Sequence, residues 1–203
     1  SSVIRHRVVL PLVFAAVVVA FALYRPAPCT ALYVGTALYL LFTPAGLLAD
    51  WRLDKRFPLA FPVYFLTLLA AGAAALAVPQ IGQEYIKMGE AQAKFFEAAS
   101  RCPLGAFLTP FQALVLAPLV EEVLFRGILF EEVRRRWGLA AAYVTSSFVF
   151  ALLHRPGLGA VPVFIVALSL AYAYHKYGLP ASIMLHFFQN AAALYVNYFS
   201  RSW

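Results

Sequence analysis

The sequence predicts an all-α protein, a multi-pass transmembrane helix bundle of about seven spans plus one interfacial helix. Three observations predict it. Of the 203 residues, 63% are apolar or aromatic and only 12% are charged, against about 25% charged in an ordinary soluble domain. A soluble fold of this length leaves roughly 30% of its chain surface wet, too much for so apolar a composition. The apolar residues also fall in runs near the roughly 20 that a helix needs to cross a bilayer core.

The same numbers exclude other classes. A disordered chain and a soluble domain are ruled out by the apolar content. The net charge of +7 would suit a nucleic-acid partner, but in a chain this apolar Lys and Arg are anchors that orient spans, so none is expected. Two cysteines are too few for a disulfide scaffold or a zinc cluster.

The spans read in order as residues 8–24, 30–49, 57–78, 104–130, 139–154, 158–174 and 179–199. The first follows Arg5, His6 and Arg7; its 17 apolar residues exceed the usual h-region of a signal peptide, about 7–15, so it reads as a retained helix. The second stops at Asp50-Trp51-Arg52, and the third lies between Lys55-Arg56 and Pro79. The fourth is long and carries charges inside. The fifth stops at Arg155-Pro156, as a helix before proline does. Gly178 ends the sixth and Pro180 suits the first turn of the seventh. The chain starts Ser-Ser without Met, which leaves room for an eighth span. Residues 1–203 read as a single transmembrane domain.

Residues 83–101 differ. Glu84, Lys87, Glu90, Lys94, Glu97 and Arg101 recur every three or four residues, a charged helical stripe with opposite signs in i,i+3 and i,i+4 register. The segment reads as a helix lying on the membrane, either a cover or a gate over a substrate entrance. With the N-terminus inside, nine Lys and Arg fall inside and six outside, which the positive-inside bias favours. Cys29 and Cys102 then share the outer side. A disulfide is open to them there, but two unpaired cysteines are the expectation.

Ionisable groups inside spans mark function by default, because burying them is costly. The fourth span holds Glu121, Glu122 and Arg126. Glu122 and Arg126 are four residues apart on one helix face and can pair. Glu121 points about 100° away and is free to face other helices. The fifth span ends in Phe150 and His154; the seventh holds His186 and Asn190 on one face. With helix tilt, these groups can share one layer of the membrane. Each has a bland reading: a structural ion pair, a helix-end histidine, interhelical hydrogen bonding. Together they suit hydrolysis. A carboxylate and a histidine can activate a water, while a second histidine and an amide can stabilise an oxyanion. No His-Glu-x-x-His or Gly-x-Ser-x-Gly occurs, and Asp50 and Asp54 both sit in a loop. Glu121, His154 and His186 are also a zinc donor set in principle; the preferred reading needs no metal and no cofactor. His175, beside Lys176, reads as a loop residue.

These residues carry a resemblance. Glu121-Glu122-x-x-x-Arg126, Phe150-x-x-x-His154 and His186-x-x-x-Asn190 look like the three motifs of the CPBP family, the type II CAAX prenyl proteases and bacteriocin-processing or immunity (Abi) proteins. The similarity covers about residues 110–190, in a core of about 110–200. It implies an intramembrane glutamate-type endopeptidase in the plasma membrane of a prokaryote, acting near the C-terminus of a prenylated or otherwise membrane-anchored protein or peptide. On that pattern Glu121 activates the water with His154 assisting. His186 and Asn190 form the oxyanion site, and Glu122, Arg126 and Phe150 support them. Two other functions compete: a non-catalytic, immunity-type scaffold that holds a partner, and a transporter using the buried carboxylates.

Overall fold

The computed structural model describes residues 7–154 and 157–196. Its helices are α1 (Val9–Tyr24), α2 (Pro28–Phe42), α3 (Ala60–Ala77), α4 (Pro79–Ser100), α5 (residues 105–137), α6 (Leu139–His154), α7 (Ala160–Tyr177) and α8 (Leu179–Leu194). No strand occurs among the described residues. Proline opens α2, α4 and α8, where its missing N–H costs no helical bond. Arg5, His6, Arg155, Pro156, Arg201 and the predicted end of the seventh span lie outside the described residues.

Two segments, Pro28–Leu48 and Phe57–Ala77, are long and apolar enough to cross a membrane, while the apolar α1 and α6 are shorter. The outward faces of α1 to α3 are apolar: Leu23, Leu41, Leu69 and Leu76 are all largely exposed. Water penalises such a surface.

At the centre lies α7, packed along α3, α6 and α8. Its Ala167, Ser169, Ala171 and Ala173 are fully buried, because small side chains let helix backbones approach closely. The α5 rod extends past the predicted end at residue 130 to Trp137. Arg134 pairs with Glu131 at 3.0 Å and Arg136 with Glu132 at 2.6 Å, so the charges beyond residue 130 continue the helix. Gly138, at φ 88°, ends it. The α5 ladder widens to π geometry over Gln112–Leu116 and Val123–Phe130, a distortion frequent at functional sites.

The predicted amphipathic helix is α4, which starts earlier than expected, at Pro79. It buries Ile81, Phe96 and Ala99 and leaves most of its charged stripe exposed. The expectation of unpaired cysteines is corrected: Cys29 and Cys102 form a disulfide, their Cα atoms 5.7 Å apart. Tertiary packing is the reason. It sets the turn after α4 against the first turn of α2, where Tyr33 Oη also donates to the Pro103 carbonyl at 2.7 Å. His175 is likewise not in a loop. It lies in the last turn of α7, with Nδ1 3.1 Å from the Tyr143 hydroxyl.

At the opposite end the loop after α2 docks on Gly178. That glycine has φ 104°, and a Cβ there would overlap the Arg52 carbonyl. The Asp54 N–H donates to the Tyr177 carbonyl at 2.8 Å. Side-chain and backbone hydrogen bonds from Arg56 hold the Asp54 carboxyl down at about 2.

Candidate active site

The fully buried Glu122 and Arg126 face each other at 3.1 Å, one turn apart on α5. The second guanidinium arm donates to the Ala167 carbonyl at 3.0 Å, and the guanidinium carbon lies 4.6 Å from the Phe150 ring centroid. Arg126 therefore ties α5 to α7 and α6. An ion pair excluded from water is costly to assemble and more costly to break, so this one fixes the rotation of α5 about its axis.

That rotation aims Glu121 at two other helices. Its Oε1 accepts from the Tyr39 hydroxyl of α2 at 2.8 Å, and its Oε2 lies 3.5 Å from His186 Nε2 of α8. The same imidazole places Nδ1 2.8 Å from Glu122 Oε1. His186 thus sits between the two carboxylates, donating Nδ1–H to Glu122 and turning Nε2 towards Glu121. Phe150 packs edge-on against it, with centroids 5.4 Å apart. The free direction of Glu121 and the Glu122–Arg126 pair agree with the sequence reading.

Two predicted residues bond elsewhere. His154 ends α6, exposed, its ring tilted against that of Phe150 with centroids 4.3 Å apart and its Nδ1 held 2.8 Å from the Phe150 carbonyl. That bond assigns the proton to Nδ1 and leaves Nε2 as the basic nitrogen. Asn190 Nδ2 donates to the Ala113 carbonyl at 2.8 Å. The cause is local. In the π turn the Ala117 N–H bonds to Gln112, so the donor due to Ala113 is residue 118, which is proline. Proline has no N–H, and the Asn190 amide fills the gap.

The sequence reading missed Tyr39. Its one signal was a phenol inside an apolar run, since a buried Tyr hydroxyl usually needs a partner. It also missed the bond from Tyr64 of α3 to Gln189, one residue before Asn190. Among the described residues, no group of three or more His, Cys, Asp or Glu is arranged to hold a metal ion.

Fold and site define a class: an all-helical bundle, apolar outside, with a carboxylate–histidine–carboxylate centre buried between helices. A comparison with known families adds to this. Residues 103–192, a little under half of the chain, are similar to the family model of the type II CAAX prenyl endopeptidase Rce1-like proteins. The matched segment contains Glu121, Glu122, Arg126, Phe150, His154, His186 and Asn190; Tyr39 lies outside it. No curated protein and no solved structure matches the chain.

Proposed function

We propose that the protein is a multi-pass intramembrane endopeptidase of the CAAX type, cleaving a peptide bond near the C-terminus of a prenylated or otherwise membrane-anchored protein or peptide. The observation that carries this reading is His186 held between Glu121 and Glu122, inside a segment matched to that family. Apolar outer faces on α1 to α3 support a bundle embedded in lipid. The disulfide supports placing the α2–α4 end on the oxidising, outer side, with the Arg-rich end of α5 inside. A plasma membrane fits that arrangement.

In this mechanism Glu121 is the general base. Tyr39 engages Oε1, which leaves Oε2 to take a proton from a bound water. His154, with Nδ1–H committed to Phe150, offers Nε2 to the same water. The water oxygen bonds to the scissile carbonyl carbon, and the C–O π electrons move to oxygen. Asn190 spends one of its two N–H donors on Ala113; the other, with protonated His186 Nε2, would meet that oxyanion. On collapse the C–N bond breaks and the proton held by Glu121 passes to the leaving nitrogen. No step forms an acyl-enzyme. Glu122 and Arg126 hold His186 and touch no substrate.

The test compares wild type and Glu121→Gln, expressed in matched membranes with candidate anchored substrates, by mass spectrometry of C-terminal peptides. New termini present only with wild type, and absent from an equally folded mutant, are expected. Identical termini from both would overturn the hydrolase in favour of the scaffold reading, which tolerates the loss of Glu121.

A further inference from the structure

A cavity of about 590 Å³ opens at the Arg-rich end of the bundle, within the range of small-molecule sites. Arg7 before α1, Arg52 after α2 and Arg134 and Arg135 of α5 line it, above a floor that includes Gly127 and Leu179. None of the proposed catalytic residues lines it. Its carboxylates are largely spoken for. Glu131 is held by Arg134 at 3.0 Å and by the Tyr174 hydroxyl at 2.9 Å, and Glu132 by Arg136 at 2.6 Å. Asp50 accepts the Arg52 backbone N–H at 3.1 Å. Among the described residues, no carboxylate pairs with the guanidinium of Arg7, Arg52 or Arg135. Arg7 Nε is moreover buried without a hydrogen-bond partner, and an unmet buried donor is costly. The cavity therefore presents three uncommitted guanidinium groups against one carboxylate outside any ion pair.

Planar, forked guanidinium groups match the oxygens of a phosphate. The surroundings favour a phosphate carried on a lipid. Leu47, Leu48 and Ile128 line the same cavity, and Leu47 is 89% exposed, so an apolar path for acyl chains begins at the phosphate-binding groups. Trp51 and Trp137, both exposed, flank the cavity in sequence next to Arg52 and Arg136. Such indoles mark the membrane–water interface. Basic pockets at that level on the inner side bind anionic headgroups.

We propose that this cavity is a binding site for the phosphate headgroup of an anionic phospholipid of the inner leaflet, held by Arg7, Arg52 and Arg135. The inference goes beyond the hydrolase. It shares with that reading only the placement in a membrane, and its readout is binding, not cleavage.

The experiment uses the full chain in detergent, titrated with phosphatidylglycerol or phosphatidylcholine and read by native mass spectrometry. Wild type is expected to retain one phosphatidylglycerol at least tenfold more strongly than phosphatidylcholine. Arg52→Gln/Arg135→Gln, at exposed positions, is expected to lose that preference with an unchanged melting temperature in lipid-free detergent. Lys94→Gln, on the exposed face of α4, is the control and should keep it. Three results would each overturn the proposal: an undiminished preference in the double variant, an equal loss in Lys94→Gln, or displacement of the lipid by equimolar inorganic phosphate. The last would reassign the site to a soluble phosphate ligand. Repeating the titration in Glu121→Gln separates this outcome from that of the hydrolase, since lipid retention there should match wild type whether or not the chain cleaves anything.

Discussion

Tyr39 and Arg126 act on the candidate centre in different ways, and single substitutions separate them. Tyr39 makes one hydrogen bond to Glu121 from outside the family-matched segment. Under the proposed mechanism, Tyr39→Phe removes that bond and keeps the ring. The expected outcome is a fall in kcat of about tenfold, the equivalent of about 1.4 kcal/mol and typical of one hydrogen bond to a charged group, with KM little changed. Steady-state kinetics on a cleaved substrate checks it. Arg126 is instead structural. Arg126→Met would leave Glu122 buried beside His186 with no cation, and breaking a buried pair costs about 3–5 kcal/mol. A thermal melt in detergent should show a large drop, accompanied by loss of activity.

The α5 rod shows how an element can carry its own defect and its repair. Pro118 deprives the Ala113 carbonyl of a donor, and Asn190 replaces it. Asn190→Ala is expected to destabilise by about 1–3 kcal/mol, the cost of an orphaned buried acceptor. Pro118→Ala supplies an N–H, so the double variant should recover part of that loss. A double-mutant cycle on thermal stability measures the coupling, and a coupling near zero would refute this account of the π turn. The loop on Gly178 is a second case. Gly178→Ala meets both a left-handed φ and the Arg52 carbonyl. A cost above about 1 kcal/mol is expected from the backbone conformation alone, read as increased proteolysis of residues 50–56. The same loop gives a pH prediction. The folded value of Asp54, about 2, lies below its ordinary 3.8. Its contact with Arg56 is therefore fully present above the ordinary value and lost as pH falls towards 2. Nicking by an acid-active protease should rise only below about pH 4.

At the scale of the molecule, the Cys29–Cys102 bridge closes 73 residues. It anchors the turn after the amphipathic α4 to α2. A chain-entropy estimate for a loop of that length is about 4 kcal/mol, an upper value. Cys29→Ser/Cys102→Ser should therefore lower the melting temperature in detergent, and a reductant should do the same to wild type while leaving the double variant unchanged. Placing this bridge at one end and the guanidinium-lined cavity at the other gives the bundle a direction. Accessibility labelling of a cysteine introduced at Lys94, and of one at Arg135, on opposite sides of sealed membranes would check that direction.

The helices were legible in the sequence because their cause is local. Apolar runs, the opening Pro180 and the terminating Gly178 set most boundaries to within a few residues. The i,i+4 pairing of Glu122 with Arg126 was legible for the same reason, as was the separate direction of Glu121. What was misread depended on neighbours. The fourth span was ended at residue 130 because charges resume at Glu131, whereas ion pairs along α5 keep residues 131–137 helical. His175 looked like a loop residue beside Lys176 because the Tyr143 ring that packs on it is 32 residues away. The cysteine pairing, the Tyr39 bond to Glu121 and the seating of His186 between two carboxylates all join residues more than 60 positions apart. Local periodicity fixes which way a side chain leaves its own helix. Only the packing of one helix on another decides what it meets.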